Sequence, residues 1–460
     1  MIVTRPRGLA VLLLLTALTA WPARAGSAVP AGCSSRVVAH TAGQKAARAE
    51  LPYVCATTTG YATSEPAIAV TPRGTVVISP AQSENTSARS TDGGRTWGLT
   101  APAHEQYTSL WNTVDPSMTV DPRTGRDYLV HATGPTRTTP LLVDSSPFPG
   151  AVSTTVAAAA GFQLYSSGDE GRTWTTTDML TAPTGDWEKV FVGRSRDGRG
   201  STVYVCGNAP FEVSGPGRLC YRSHDGGRTF AVAGFVFPSV EQAKYCPPLA
   251  ADNGSVGPDG TVYQPVTCTD GAYVAVSSDE GTTYTWYGVP GSVGSGFGIR
   301  GAGFQVAADP SGTVWASWIA GDHLQLSRSR DHGAHWQSVG DVAAPGSHHV
   351  TLAQLAAGPA GDVGLVYYAA ARAGQSAMTA WITETHQGNA ARPVFVSGAL
   401  NDPRHPTFTD FGLAGPSPRA DYIGACFDRR GRLWGAAVRQ TSGARADGTI
   451  GTMGVVGHLG

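Results

Sequence analysis

Glu65-Pro66 and Asp115-Pro116 each set a carboxylate at the head of a short apolar run, Ala67-Ile68-Ala69-Val70 in one case and Ser117-Met118-Thr119-Val120 in the other. Carboxylates at equivalent places can work as a general acid and base or hold a hard cation such as calcium. Similar openings follow around Trp187 to Val205, Pro248 to Val266, Phe304 to Trp318, Leu352 to Tyr368 and Asp421 to Val438, making seven. The residues at or near these openings are the candidates for chemistry. Glu65, Asp115 and Asp421 offer carboxylates, Tyr422 a phenol, and Arg300 and Arg419 guanidinium forks that match a bound carboxylate. Trp111, Trp187, Tyr245 and Phe297 offer rings for stacking on sugars, with Glu188 beside them as a polar contact. Each has a structural alternative: an acidic turn before proline, a surface ion pair, or a ring packed between strands. Histidines show no ligand spacing, so no cofactor or metal is expected, although calcium is chemically possible.

The elements that must position these groups are marked by a second repeat. Ser90-Thr91-Asp92-Gly93-Gly94-Arg95-Thr96-Trp97 returns at Ser167 to Trp174, Ser223 to Phe230, Ser277 to Tyr284 and Ser329 to Trp336. The shared pattern is Ser-x-Asp-x-Gly-x-x-aromatic. A carboxylate that accepts nearby backbone N–H groups, followed by a glycine with positive φ, suits a tight hairpin turn. The serine hydroxyl bonds within the same turn, and the ring buries its area between units. Asp92, Asp169, Asp225, Asp279 and Asp331 are therefore read as fold staples. Their intervals of 77, 56, 54 and 52 residues fit repeated four-stranded units sharing a core in a ring. A Pro/Ser/Thr/Ala-rich insertion near 135–160 accounts for the longest interval.

This repeat resembles the Asp box, or BNR repeat, of the secreted bacterial sialidase superfamily. The resemblance implies an all-β propeller of four-stranded blades, with each box on an outer hairpin turn away from the central funnel. The openings count seven blades, against six in the sialidases; six remains the alternative, as does a seventh opening that shares a blade with N-terminal residues to close the ring. It also implies where a sialidase would keep its machinery: three arginines on the substrate carboxylate, a tyrosine nucleophile with a glutamate partner, and an aspartate acid/base. Here the first-arginine segment, Phe-Arg-Ile-Pro-like in the family, reads Ser64-Glu65-Pro66-Ala67-Ile68. The most diagnostic residue of that enzyme is absent.

Residues 1–25 read as a signal peptide: Arg5 and Arg7, an apolar run from Leu9 to Thr19, and Ala23-Arg24-Ala25 as the cleavage site. The expectation is a secreted chain without membrane insertion, with a lead segment 26–59 and a propeller over 60–460. The formal charge is −1, and losing the three signal arginines takes the mature chain to near −4. No basic tract calls for nucleic acid. Seven cysteines in an exported chain are expected to pair as Cys33 with Cys55, Cys206 with Cys220 and Cys246 with Cys268, leaving Cys426 as a buried thiol. The function expected is binding of an extracellular glycan or other surface ligand at the funnel by a monomer. The alternatives are an exo-acting, sialidase-like glycoside hydrolase and a protein-binding scaffold using the insertion.

Overall fold

The computed structural model describes residues 29–460 apart from 35, 48–52, 64, 80–86, 101–115, 134–141, 145–154, 158–160, 180–185, 210–216, 238–245, 247–252, 294–302, 360, 409–422 and 445–449. Seven antiparallel blades follow one another along the chain. Blade 1 is Ala67–Val70, Val76–Ser79, Ser87–Ser90 and Gly98–Thr100; blade 2 is Ser117–Val120, Asp127–Thr133, Gly161–Ser167 and Thr175–Met179. Blades 3, 4 and 5 repeat the plan with inner strands Asp186–Arg194, Ser255–Val256 and Gln305–Ala308. The inner strands of blades 6 and 7 are His348–Ala357 and Gly424–Phe427. Neighbouring inner strands touch in sequence around the ring, and the seventh touches the first. Seven blades is the arrangement found, and among the described residues there is no helix.

The ring closes through the lead segment, which is part of the propeller and not an arm ahead of it. Val54–Thr58 pairs with the C-terminal strand Ile450–Leu459 and forms the fourth strand of blade 7. Val37–Thr41 adds to the outer strand of blade 6, Val394–Ala399. This second pairing is held from inside. The buried His40 ring bonds Ser397 Oγ at 2.8 Å, Ser397 contacts Thr383 at 2.7 Å, and the Tyr367 hydroxyl, near Thr383, accepts the Ala344 N–H. Burial holds the His40 pKa below its ordinary value, so the network is built on a neutral ring. The insertion also departs from the expected loop: Leu142–Asp144 and Thr155–Ala157 pair as a small hairpin.

Aliphatic and aromatic residues from adjacent blades form the core, layer by layer. Tyr128, Val130, Phe162 and Leu164 of blade 2, for example, pack against Val190, Val203 and Leu219 of blade 3. The three expected disulfides are present, Cys33–Cys55, Cys206–Cys220 and Cys246–Cys268. Cys426 is free and partly buried, and desolvation raises its thiol pKa. Because Cys33–Cys55 ties the outermost strands of blade 7, replacing both with serine is expected to lower stability by about 3 kcal/mol. Urea unfolding of the variant beside the oxidised wild type measures this directly.

Candidate functional site

In six blades the inner strand ends at a residue paired across a tight turn with the second strand: Val70 with Val76, Val120 with Asp127, Val256 with Val262, Ala308 with Val314, Ala357 with Val363 and Phe427 with Leu433. In blade 3 this hairpin runs two residues further, and the equivalent pair is Val192 with Val203, which faces the box serine Ser223 as Val76, Val262 and Val314 face theirs. Three residues upstream of that pair the seven blades carry Ala67, Ser117, Lys189, Asn253, Gln305, Gln354 and Gly424. Side chains at one register level of a ring of strands share one height along the axis. Five of the seven are polar, and they meet. Ser117 Oγ donates to Asn253 Oδ1 at 3.0 Å, and Gln354 Nε2 donates to Gln305 Oε1 at 3.1 Å. Ser117 Oγ also accepts the Val190 N–H. Ser117, Lys189, Asn253 and Gln354, with Pro66, Met118 and Ile423, line an axial cavity of about 30 Å³, room for a water or two but not a sugar ring.

The candidates from the sequence divide around this belt. Glu65, two residues ahead of it in blade 1, is buried, and so is Glu188 in blade 3, beside the buried belt residue Lys189. Trp187 lies in the inner strand of blade 3. Trp111, Asp115, Tyr245, Phe297, Arg300, Arg419, Asp421 and Tyr422 lie outside the described residues. Counted along the chain, Asp115 and Tyr422 stand two residues ahead of the belt, as Glu65 does. The residues that follow them, Pro116 and Ile423, line the cavity. Sequence reading passed over Ser117, Asn253, Gln305 and Gln354 as a set. The signal was there as a polar residue inside an apolar opening, but it gains meaning only when the registers are aligned.

The five repeated turns lie at the other end of the blades, after the third strand. In the first, Ser90 Oγ donates to Asp92 Oδ1 at 2.7 Å and accepts the Gly94 N–H; the N–H groups of Arg95 and Thr96 reach Oδ1, and the Thr96 hydroxyl takes Oδ2 at 2.6 Å. The pattern repeats at Asp169, Asp225 and Asp279, and at Asp331 a histidine, His335, replaces the threonine hydroxyl. These carboxylates are consumed by their own turns. The chain is a seven-bladed β-propeller with this repeated turn in five of its blades. No family model matches it, and no curated protein does. Solved structures it resembles in outline include virginiamycin B lyase from Staphylococcus aureus, 11% identical over 88% of this chain and 98% of that one, TM-score 0.48. The intramolecular trans-sialidase from Ruminococcus gnavus is 15% identical over 88% and 94%, TM-score 0.42. The Hadza microbial sialidase Hz136 is 18% identical over 74% and 66%, TM-score 0.41.

The boxes of this propeller also join blades, which the motif alone did not reveal. The residue after the box aspartate has positive φ in every copy: Gly93, Glu170, Gly226, Glu280 and His332. Where it is not glycine, its side chain reaches back to the preceding blade, and the contact offsets the backbone strain. Glu170 accepts the Thr75 hydroxyl at 2.9 Å, Glu280 accepts the Arg196 N–H at 3.0 Å, and His332 meets the Tyr263 hydroxyl at 2.7 Å. In the forward direction, Arg89 donates to Glu170 O and Arg222 to Glu280 O. Among the described residues, the carboxyls whose pKa is raised also sit at blade seams on this face and not at the axis. Burial lifts Asp127 and Glu384 to about 7, and Asp362 upward.

Proposed function

We propose that this protein is an exported propeller that binds an extracellular glycan at the end where its inner strands begin. The observation that supports this is the polar belt. A ring whose only task was packing would fill its axis with apolar side chains, as the layers outside it do. Here Lys189, Ser117, Asn253 and two glutamines converge, with the Glu65 and Glu188 carboxylates buried beside them. Burying such groups costs free energy unless they are held by partners. They present donors and acceptors together, as recognition of hydroxyl-rich rings requires. Export rests on the signal-like residues 1–25 and the three disulfides. No helix among the described residues is long and apolar enough to cross a membrane.

A glycan array probed with the folded protein tests the reading. Glu65→Gln and Lys189→Gln are each expected to weaken the captured glycan about tenfold or more, the scale of a lost charged hydrogen bond. Circular dichroism and melting of each variant accompany the measurement. A folded protein that binds no glycan would remove the proposal. Glu65 and Glu188 also favour a second reading, an exo-acting glycoside hydrolase, because two buried carboxylates near one axis suit acid/base work. Hydrolysis of fluorogenic aryl glycosides, sialosides included, decides between them. Turnover abolished by Glu65→Gln or Glu188→Gln establishes the enzyme; none across the panel leaves binding alone.

A further inference from the structure

On the box face, the seven turns that join each inner strand to the second strand form a ring of their own, closed by similar backbone hydrogen bonds. Their charge is divided in two. The turns of the consecutive blades 7, 1, 2 and 3 carry Arg429 and Arg430, Arg73, Arg123, and Arg196 and Arg199, all exposed. The turns of blades 4, 5 and 6 carry no lysine or arginine; of their carboxylates Asp259 is exposed, Asp362 half-buried and Asp309 buried on local donors. Within the cationic arc the carboxylates are turned onto local donors. Asp121 accepts the Arg123 N–H, the Thr124 hydroxyl and the Ser201 hydroxyl. Asp197 accepts the Ser195 hydroxyl and the Arg199 N–H, and Asp428 the N–H groups of Arg430 and Arg432. Of the six arginines only Arg73 has an ion pair among the described residues, to Glu170 at 3.5 Å. The arc ends in an open cleft of about 780 Å³ between blades 3 and 4, bordered by Arg196, Arg199 and His224 with Asp197 and Glu280.

We propose that this arc is a second binding site, for an anionic polysaccharide, on the face opposite the axial belt. One exposed guanidinium contributes little to binding. Four successive turns favour a ligand whose negative groups repeat along an extended chain, since each contact releases a counterion. A single-stranded nucleic acid is disfavoured because none of the exposed large apolar side chains lies in these turns to stack a base. The site is independent of the glycan reading for the axial end.

The test is binding of the purified protein to heparin and to polygalacturonate, with neutral dextran and duplex DNA as comparisons, over a salt series. Two variants each remove two charges, Arg196→Ser with Arg199→Ser and Arg429→Ser with Arg430→Ser. Arg372→Ser, exposed in the turn after the second strand of blade 6 at the other end of the blades, is the control. Binding to at least one polyanion is expected, with each double variant about tenfold weaker at about 50 mM salt and its salt slope reduced by about 2. The control stays at wild type, and melting shows all variants folded. Sulfate or carboxylate preference follows from which polymer binds more tightly. No retention at low salt, equal loss in the control, or DNA binding as tight as either polysaccharide would each overturn the assignment.

Discussion

Asp127→Val should make the protein more stable, and more so at neutral pH than in acid. Asp127 pairs with Val120 of its inner strand, and the register-equivalent residue of the other six blades is a fully buried Val76, Val203, Val262, Val314, Val363 or Leu433. The site is thus shaped for a branched aliphatic chain. Neither Asp127 oxygen has a well-formed hydrogen bond. Burial pushes its carboxyl up to about 7, Glu170 and Asp169 add repulsion, and Arg89 and the Gly171 N–H give partial relief. The sign follows from linkage. The folded protein holds this proton more tightly than the unfolded chain does. Wild-type stability therefore falls as pH rises from about 4 toward 7 and then levels off. Removing the charge should recover about 2–4 kcal/mol at pH 8, less at pH 4. Thermal unfolding of both proteins between pH 4 and pH 8 is the measurement. A valine variant that melts lower, or that keeps the same pH slope, contradicts the account.

Asp225→Ala should cost stability and leave ligand binding alone. The Asp225 carboxylate gathers the Ser223 hydroxyl at 2.7 Å, the N–H groups of Arg228 and Thr229, and the Thr229 hydroxyl at 2.7 Å. Those bonds, the Thr229 hydroxyl foremost, hold its pKa well below the usual carboxylate range. The box therefore contributes stability above the ordinary carboxylate pKa, and acid removes that contribution as the folded group is protonated. Deleting the side chain frees several donors of the turn at once and is expected to cost about 2 kcal/mol, the exposed setting limiting the loss. The seam with the preceding blade suffers as well, because Gly227 O accepts the hydroxyl of Thr177, in the fourth strand of blade 2, at 2.7 Å. Denaturant unfolding measures the loss, and a glycan titration in the surviving fold should be unchanged. Selective loss of binding at unchanged stability would place the boxes in the site after all.

The sequence by itself determined what short-range chemistry fixes. A box is a set of hydrogen bonds closed within eight residues, so its serine, aspartate and glycine announce the turn wherever they occur. The spacing of the copies then sets the blade unit. The three cysteine pairs were legible for the same reason: Cys33 faces Cys55 and Cys206 faces Cys220 across adjacent strands, and Cys246 joins Cys268 in the second strand of blade 4. Glu65 and Glu188 were found as polar residues at apolar openings, though the structure describes few of the other candidates beside them. Only the tertiary structure decided which residues share a level. The belt of Ser117, Lys189, Asn253, Gln305 and Gln354 comes from five blades, and its parts are far apart along the chain. The arginine arc is drawn from four separate turns, so a search for a basic tract passes over it. Asp127 looks like any strand-leading acid until its six counterparts are laid in register. That N-terminal residues could complete the last blade was an alternative open in the sequence; which strand does so, Val54–Thr58, and in what register, only the pairing shows. Local hydrogen bonds write themselves into local sequence; a site assembled around an axis does not, because its neighbours are chosen by the ring.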